Sequence, residues 1–231
     1  MGNILVSLQN VHKTFQKGQT TVHAVAGVTL DIRSGDFIAI MGPSGCGKST
    51  LLHLIGGLES PTSGVLLFNG TDLTHMSDHR LSQFRNRHVG FVFQAFNLLP
   101  ELTVIDNVAL PLKYAGIAKT ERRRRAYAML ERVGLADRAS HYPAELSGGQ
   151  EQRTAIARAL VMEPALVMAD EPTGNLDSAT RDQILALFNE LNAQGTTLLV
   201  VTHDPIVASA AQRVLQMRDG ALETEPYQLS I

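Results

Sequence analysis

Polar and apolar positions along the chain alternate between two rhythms. Val6 to Leu8 and Val22 to Ile32 mix β-branched and apolar residues with polar ones and predict antiparallel strands. Phe37 to Met41 is a short apolar run that ends in a glycine-rich turn, and Ser49 to Gly57 after it predicts a helix. Val65 to Phe68 and Val89 to Phe93 predict further strands. From about Leu98 to Tyr142 the pattern turns mainly helical, with Glu121 to Val133 its clearest amphipathic stretch. Strand and helix then alternate again: Ala165 to Ala169, Arg181 to Asn192, Thr197 to Thr202, and a closing hairpin around Asp219 and Gly220. Alternation at both ends predicts an α/β fold with a mainly parallel sheet and an antiparallel β part, interrupted by a helical insertion. No internal repeat or low-complexity tract breaks the pattern.

Composition narrows the function classes. The chain has 231 residues, 44% hydrophobic and 18% charged, as expected of a globular protein. A formal net charge of −2 gives no global basic field, so no nucleic-acid partner is expected. The single cysteine, Cys46, rules out an internal disulfide framework and fits a reducing compartment. No apolar run approaches the roughly 20 residues of a membrane span. The amino terminus lacks a charged start followed by an apolar stretch, and Val6 stands where a myristoylation motif needs Ser or Thr. The expectation is a cytosolic protein.

The strongest chemistry lies between the third strand and its helix. Gly42, Pro43, Ser44, Gly45, Cys46, Gly47, Lys48 and Ser49, with Thr50 beyond, match G-x-x-x-x-G-K-S/T. Glycines let the backbone curl so that successive N–H groups point at phosphate oxygens, and the helix start adds its positive dipole end. Lys48 is expected to reach the β- and γ-phosphates, and Ser49 to hold Mg²⁺. The N-K-x-D segment typical of guanine-specific proteins is missing. The cradle alone marks a phosphate binder.

About a hundred residues on, Leu146, Ser147, Gly148, Gly149 and Gln150 form a Ser-Gly-Gly turn ahead of the helical Gln152 to Val161, a second anion-binding helix start. The apolar run Ala165 to Ala169 ends in two acids, Asp170 and Glu171. With both strings in place, the chain resembles an ABC transporter ATPase subunit from Val6 to about Glu223. The resemblance implies ATP and Mg²⁺ as ligands, and it assigns roles. Asp170 matches the acid that holds Mg²⁺, and Glu171 the general base on the attacking water. His203, followed by Asp204, matches the switch histidine that contacts the γ-phosphate. Gln94 matches the glutamine that senses Mg²⁺ and the water. Asp177, in the run Asn175 to Asp177, matches a loop that crosses to a partner. Phe15 sits where the family stacks an aromatic on adenine, with a core phenylalanine as its other reading. Glu151 and Thr154 replace the Gln and Val more usual after the signature.

The same resemblance implies a homodimer held together through ATP, in which Ser147 and Gly149 of one copy reach the γ-phosphate held by the other. It divides the chain into a core with an antiparallel β part, about 1–93 and 163–231, and a helical part, about 95–162. The stretches Gly90 to Gln94, Phe96 to Pro100, Asn107 to Leu112 and Asp170 to Asp177 resemble the lipoprotein-release and macrolide-efflux (LolD- and MacB-like) group. That group implies a separate permease with few spans (FtsX- or MacB-like), a periplasmic adaptor in some systems, and a place at the cytoplasmic face of the inner membrane. The permease is expected to dock between Gln94 and Tyr114. The run Arg122 to Arg125 reads as a solvated helix face, or as a contact for anionic lipid. A cell-division ATPase and a soluble ABC ATPase are the competing readings, and the cargo is not written in the chain.

Overall fold

The structure is a computed structural model and describes residues 2–223, so 224–231 of the expected core lie outside the described residues. Two sheets organise it. The first has the order β2-β1-β4-β5, with β1 Ile4–Lys17, β2 Thr20–Arg33, β4 Ser63–Phe68 and β5 Thr71–Asp72, all antiparallel. The second has the order β10-β9-β3-β8-β7-β6: β3 Phe37–Met41, β6 Val89–Phe93, β7 Leu166–Asp170, β8 Thr197–Val201, β9 Arg213–Arg218 and β10 Ala221–Leu222. From β9 to β6 its strands run parallel, and only β10 turns back.

Every residue of β3 and β8 is buried, which is why these strands read as unbroken apolar runs: a parallel sheet is covered on both faces. Successive side chains go to opposite faces. Leu166, Met168, Leu199 and Val201 pack with α1 (Lys48–Ile55) and the antiparallel sheet, while Val167, Ala169, Leu198 and Val200 pack with Ile184 and Phe188 of α7 (Ser178–Ala193). Helix α1 is therefore sandwiched between the two sheets.

The region after β6 builds its own apolar cluster from α3 (Val104–Val108), α4 (Leu110–Tyr114) and α5 (Lys119–Arg132). Its fourth helix, α6 (Gly148–Leu160), is shared. Ala157 packs with this cluster, whereas Ile156, Ala159 and Leu160 pack against the parallel sheet's outer face. A further helix, α2 (Asp78–His88), precedes β6, and a short one, α8 (Pro205–Ser209), follows β8. Among the described residues no helix is long and apolar enough to cross a membrane.

Candidate functional site at the strand ends

Sheet register assembles the site. Ile40 stands beside Val201, Val201 beside Asp170, and Asp170 beside Phe93. The residues that follow, namely the loop from Gly42, then Thr202 and His203, Glu171 and Gln94, therefore emerge along one carboxyl edge. Backbone bonds tie these exits together: the Glu171 amide donates to the Val201 carbonyl at 2.9 Å and the Thr202 amide to that of Ile40 at 3.1 Å. Ligands of open α/β sheets bind at this edge.

The loop from β3 to α1 closes tightly. A Cβ on Gly42 would stand 2.1 Å from the Met217 carbonyl oxygen, and one on Gly47 2.0 Å from that of Ala24. Gly47 also has φ +106°, a backbone that side chains rarely adopt. Helix α1 begins with no side-chain cap, so its first amides remain free to meet a ligand. The Lys48 ammonium folds back into the loop and donates to the carbonyls of Gly42 and Pro43 at 2.8 and 2.9 Å. It is 8% exposed. A nearly buried cation with only neutral partners, beside an uncapped helix start, fits a polyphosphate. The cleft here has a volume of about 380 Å³, with Gly45 to Thr50 on one wall and Val22 to Ala24 of β2 on the other.

Glu171 is the strained member. Its φ is +46°, and its carboxylate accepts from the Thr202 hydroxyl at 3.1 Å and from His203 Nδ1 at 2.7 Å. Left-handed backbone at a non-glycine residue costs about 1–2 kcal/mol, and two donors fix the side chain that results. Asp170 occupies the last position of β7 beside it. Gln94 is exchanged with Asn175: its amide donates to Asn175 Oδ1 at 3.4 Å, and Asn175 Nδ2 donates to the Gln94 carbonyl at 3.1 Å. A Cβ on Gly174 would stand 2.8 Å from the Gln94 amide nitrogen, so this glycine lets the two loops touch.

The signature residues lie elsewhere. Ser147 caps α6: its hydroxyl accepts from the Gln150 amide, and the Gln150 side chain accepts from the Ser147 amide at 3.0 Å. Gly149 leaves room for Thr180, since a Cβ there would approach Thr180 Cγ2 to 2.5 Å. Neither Ser147, Gly148, Gly149 nor Gln150 lines the cradle's cleft. Asp177 caps α7, accepting from the Thr180 amide at 3.0 Å and its hydroxyl at 2.7 Å, and these bonds hold its carboxyl below the usual range. Phe15 is 39% exposed and pairs across the hairpin with Val22 at the cleft's rim. Lys13 lies 5.0 Å from its ring centroid, held by Glu59 at 2.8 Å. Such exposure sets aside the core reading of Phe15.

Three contributors escaped sequence reading. Thr202 follows a buried strand and gives no sign that its hydroxyl serves Glu171. Gln152 interrupts the inward face of α6 and Arg158 stands half-buried at its margin, and a polar residue on an apolar helix face was the one available signal. Gln152 is fully buried and donates to the Pro172 carbonyl, next to Glu171.

Residues 25–174 match the family model described as ABC transporter. The chain belongs to the ABC transporter family. It is 51% identical over 216 residues to the uncharacterized ABC transporter ATP-binding protein YknY of Bacillus subtilis, covering 94% of each chain. It is 48% identical over 223 residues to the lipoprotein-releasing system ATP-binding protein LolD of Legionella pneumophila, covering 96% of this chain and 98% of that one. Its 47% identity to the macrolide export ATP-binding/permease protein MacB of Syntrophobacter fumaroxidans covers 96% of this chain but 31% of that one. A dimeric ATP-binding cassette solved in a post-hydrolysis state with ADP and Pi superposes with a TM-score of 0.89 at 43% identity, covering 97% of this chain and 99% of the other. As an ABC cassette, the chain pairs a mainly parallel core sheet with an antiparallel one, the arrangement that its sequence predicts.

Proposed function

We propose that this ABC cassette binds ATP with Mg²⁺ in the Gly42–Thr50 cradle, hydrolyses it, and thereby energises a separate membrane permease. The observation that carries the reading is Glu171, held at the strand end beside Asp170 by Thr202 and His203. Lys48 neutralises the β- and γ-phosphates, and Phe15 stacks on adenine. Ser49 and Gln94 would hold Mg²⁺ directly and Asp170 through its water shell, and the ion would neutralise charge on the phosphates. Glu171 accepts the proton of a water that attacks the γ-phosphorus. The bond to the β–γ bridging oxygen breaks, leaving ADP and inorganic phosphate. His203 steadies Glu171 and reaches the γ-phosphate.

Ser147 and Gly149 complete the site from a second copy, since they form no part of the cleft in their own chain. Asp177 at the start of α7 lies on the same crossing surface. The permease docks on the cleft of about 370 Å³ between Phe91, Phe93, Asn97 and Pro111, beside the Gln94 loop. Relatives named for lipoprotein release and macrolide export support an export role, and on that reading the cassette works by export or force transmission from the cytoplasmic face of the inner membrane. MacB, which by its name joins ATP-binding and permease parts, supports a permease as partner.

Glu171→Gln keeps the hydrogen-bonding shape but removes the base. Its kcat is expected to fall by roughly 10²- to 10⁴-fold, and the variant should elute as an ATP-bound dimer in size-exclusion chromatography with light scattering. Undiminished turnover by Glu171→Gln would remove the base from this assignment.

A further inference from the structure

Arg158 is the least expected side chain of α6. It is half-buried, on the wall of the cleft lined by Phe91, Asn97 and Pro111, and a guanidinium so withdrawn from water normally meets a carboxylate. This one makes no ion pair among the described residues, and burial pulls its pKa down. Its Nη1 donates instead to the Asn97 carbonyl at 2.5 Å and its Nη2 to the Phe96 carbonyl at 2.7 Å. Those two residues are consecutive and both left-handed, with φ +59° and +51°. Neither is glycine, so the turn carries a steric penalty, larger at Phe96 than at Asn97, that something must hold in place. Two charge-assisted bonds from one planar fork to adjacent carbonyls suit that task.

The loop so held begins at Gln94. It also approaches the other end of α6, where a Cβ added to Gly148 would stand 3.9 Å from Phe96 Cζ. The helix that presents the signature therefore lies close to the Gln94 loop at its first turn and is bonded to it at Arg158, near its end.

We propose that Arg158 is a positioning residue for hydrolysis, whose two bonds to Phe96 and Asn97 fix the Gln94 loop and join it to the signature helix as one body. Gln94 of a chain's own site and Ser147, offered to the other copy's nucleotide, then move together. The inference rests on the ATPase reading above and adds a residue that touches neither nucleotide nor water.

Arg158→Met keeps the apolar stem and removes the donors. Its kcat at saturating ATP should fall roughly ten-fold, since small misplacements of a reacting constellation are costly. KM for ATP should stay within about two-fold, because the cradle and Phe15 are untouched. Adding Asn97→Gly tests the cause, since glycine adopts positive φ without penalty. The double variant should regain a clear part of the lost kcat, which lost packing alone would not allow. Unchanged kcat in Arg158→Met, or a double variant as slow as the single one at an unaltered Tm, overturns the proposal. Should Arg158→Met fail to fold, Arg158→Lys, which keeps charge but not the fork, carries the same expectations. Hydrogen exchange at the Phe96 and Asn97 amides should quicken in the variant whether or not the chain turns over ATP. If the wild-type chain hydrolyses nothing while Arg158→Met still exchanges these amides faster than wild type, the ATPase reading falls and the clamp stands.

Discussion

Within the cradle, geometry leaves almost no slack around single atoms. Cys46 is 7% exposed, and its Sγ lies 3.9 Å from the Lys48 ammonium while its carbonyl accepts from the Gly220 amide at 3.0 Å. A thiol adduct larger than a few atoms must displace either the lysine or the turn at Gly220. Labelling with N-ethylmaleimide is therefore expected to abolish binding of a fluorescent ATP analogue, and bound ATP to slow the labelling. Mass spectrometry locates the adduct, and nucleotide binding by a fully labelled chain would refute this placement of Cys46. Glu171 shows the opposite economy: it carries a strained backbone so that one carboxylate oxygen faces Thr202 and the other His203. Nothing in the string Asp170-Glu171 announces that strain, although the pair's strand-end position was legible.

Helix starts account for most of the site's order, and they titrate. At α7 the Asp177 carboxylate accepts two bonds from Thr180, which lower its pKa. A depressed folded-state pKa means that the cap's contribution is complete above the unfolded value, about 3.9, and is lost as pH falls through the folded value. The Tm gap between wild type and Asp177→Ala is therefore expected at neutral pH and should close in acid below about pH 4. A gap that persists unchanged at low pH would contradict the cap. What was legible at this scale follows from burial. Phe37–Met41 was readable to the residue because a strand covered on both faces is continuously apolar, and Val89–Phe93 because its apolar run persists although Phe91 and Phe93 are only half-buried at the sheet edge. Helix α2 was invisible, since only Leu81 and the half-buried Phe84 face the core and charged and polar side chains fill the rest. Strands β1 and β2 run 14 residues each, longer than their apolar segments, because the outer half of the hairpin faces water. In the sequence Asn107 counts only as the start of the Asn107 to Leu112 resemblance, with no structural role. It is fully buried, with its two amide hydrogens shared among the carbonyls of Leu99, Leu102 and Thr103 and its oxygen accepting from the Leu99 amide. No linear pattern marks such a knot, because its partners are set by the fold of the loop around it.

At the scale of the whole molecule, the decisive question is whether one cleft needs two chains. The cradle and the carboxyl edge belong to the two-sheet core, whereas Ser147 caps a helix shared with the helical cluster and contributes nothing to that cleft. Two defects placed in different chains separate the possibilities. Lys48→Ala removes the phosphate cation but leaves the signature intact, and Ser147→Arg obstructs the signature but leaves the cradle intact. Each variant alone forms only defective sites if hydrolysis takes a cradle from one copy and a signature from the other. Mixed in equal amounts, half of the dimers are mixed, and each mixed dimer has one intact site of two. The mixture should therefore recover up to about a quarter of the wild-type rate, if the two-fold partners exchange freely and sites act independently. Sites that must fire together would lower that yield but leave it above the sum of the separate variants. If each chain instead hydrolysed ATP within itself, mixing would give only the average of the two variants at every ratio. A mixture that never exceeds that average, in a sample shown by light scattering to contain ATP-bound dimers, would rule out the shared site.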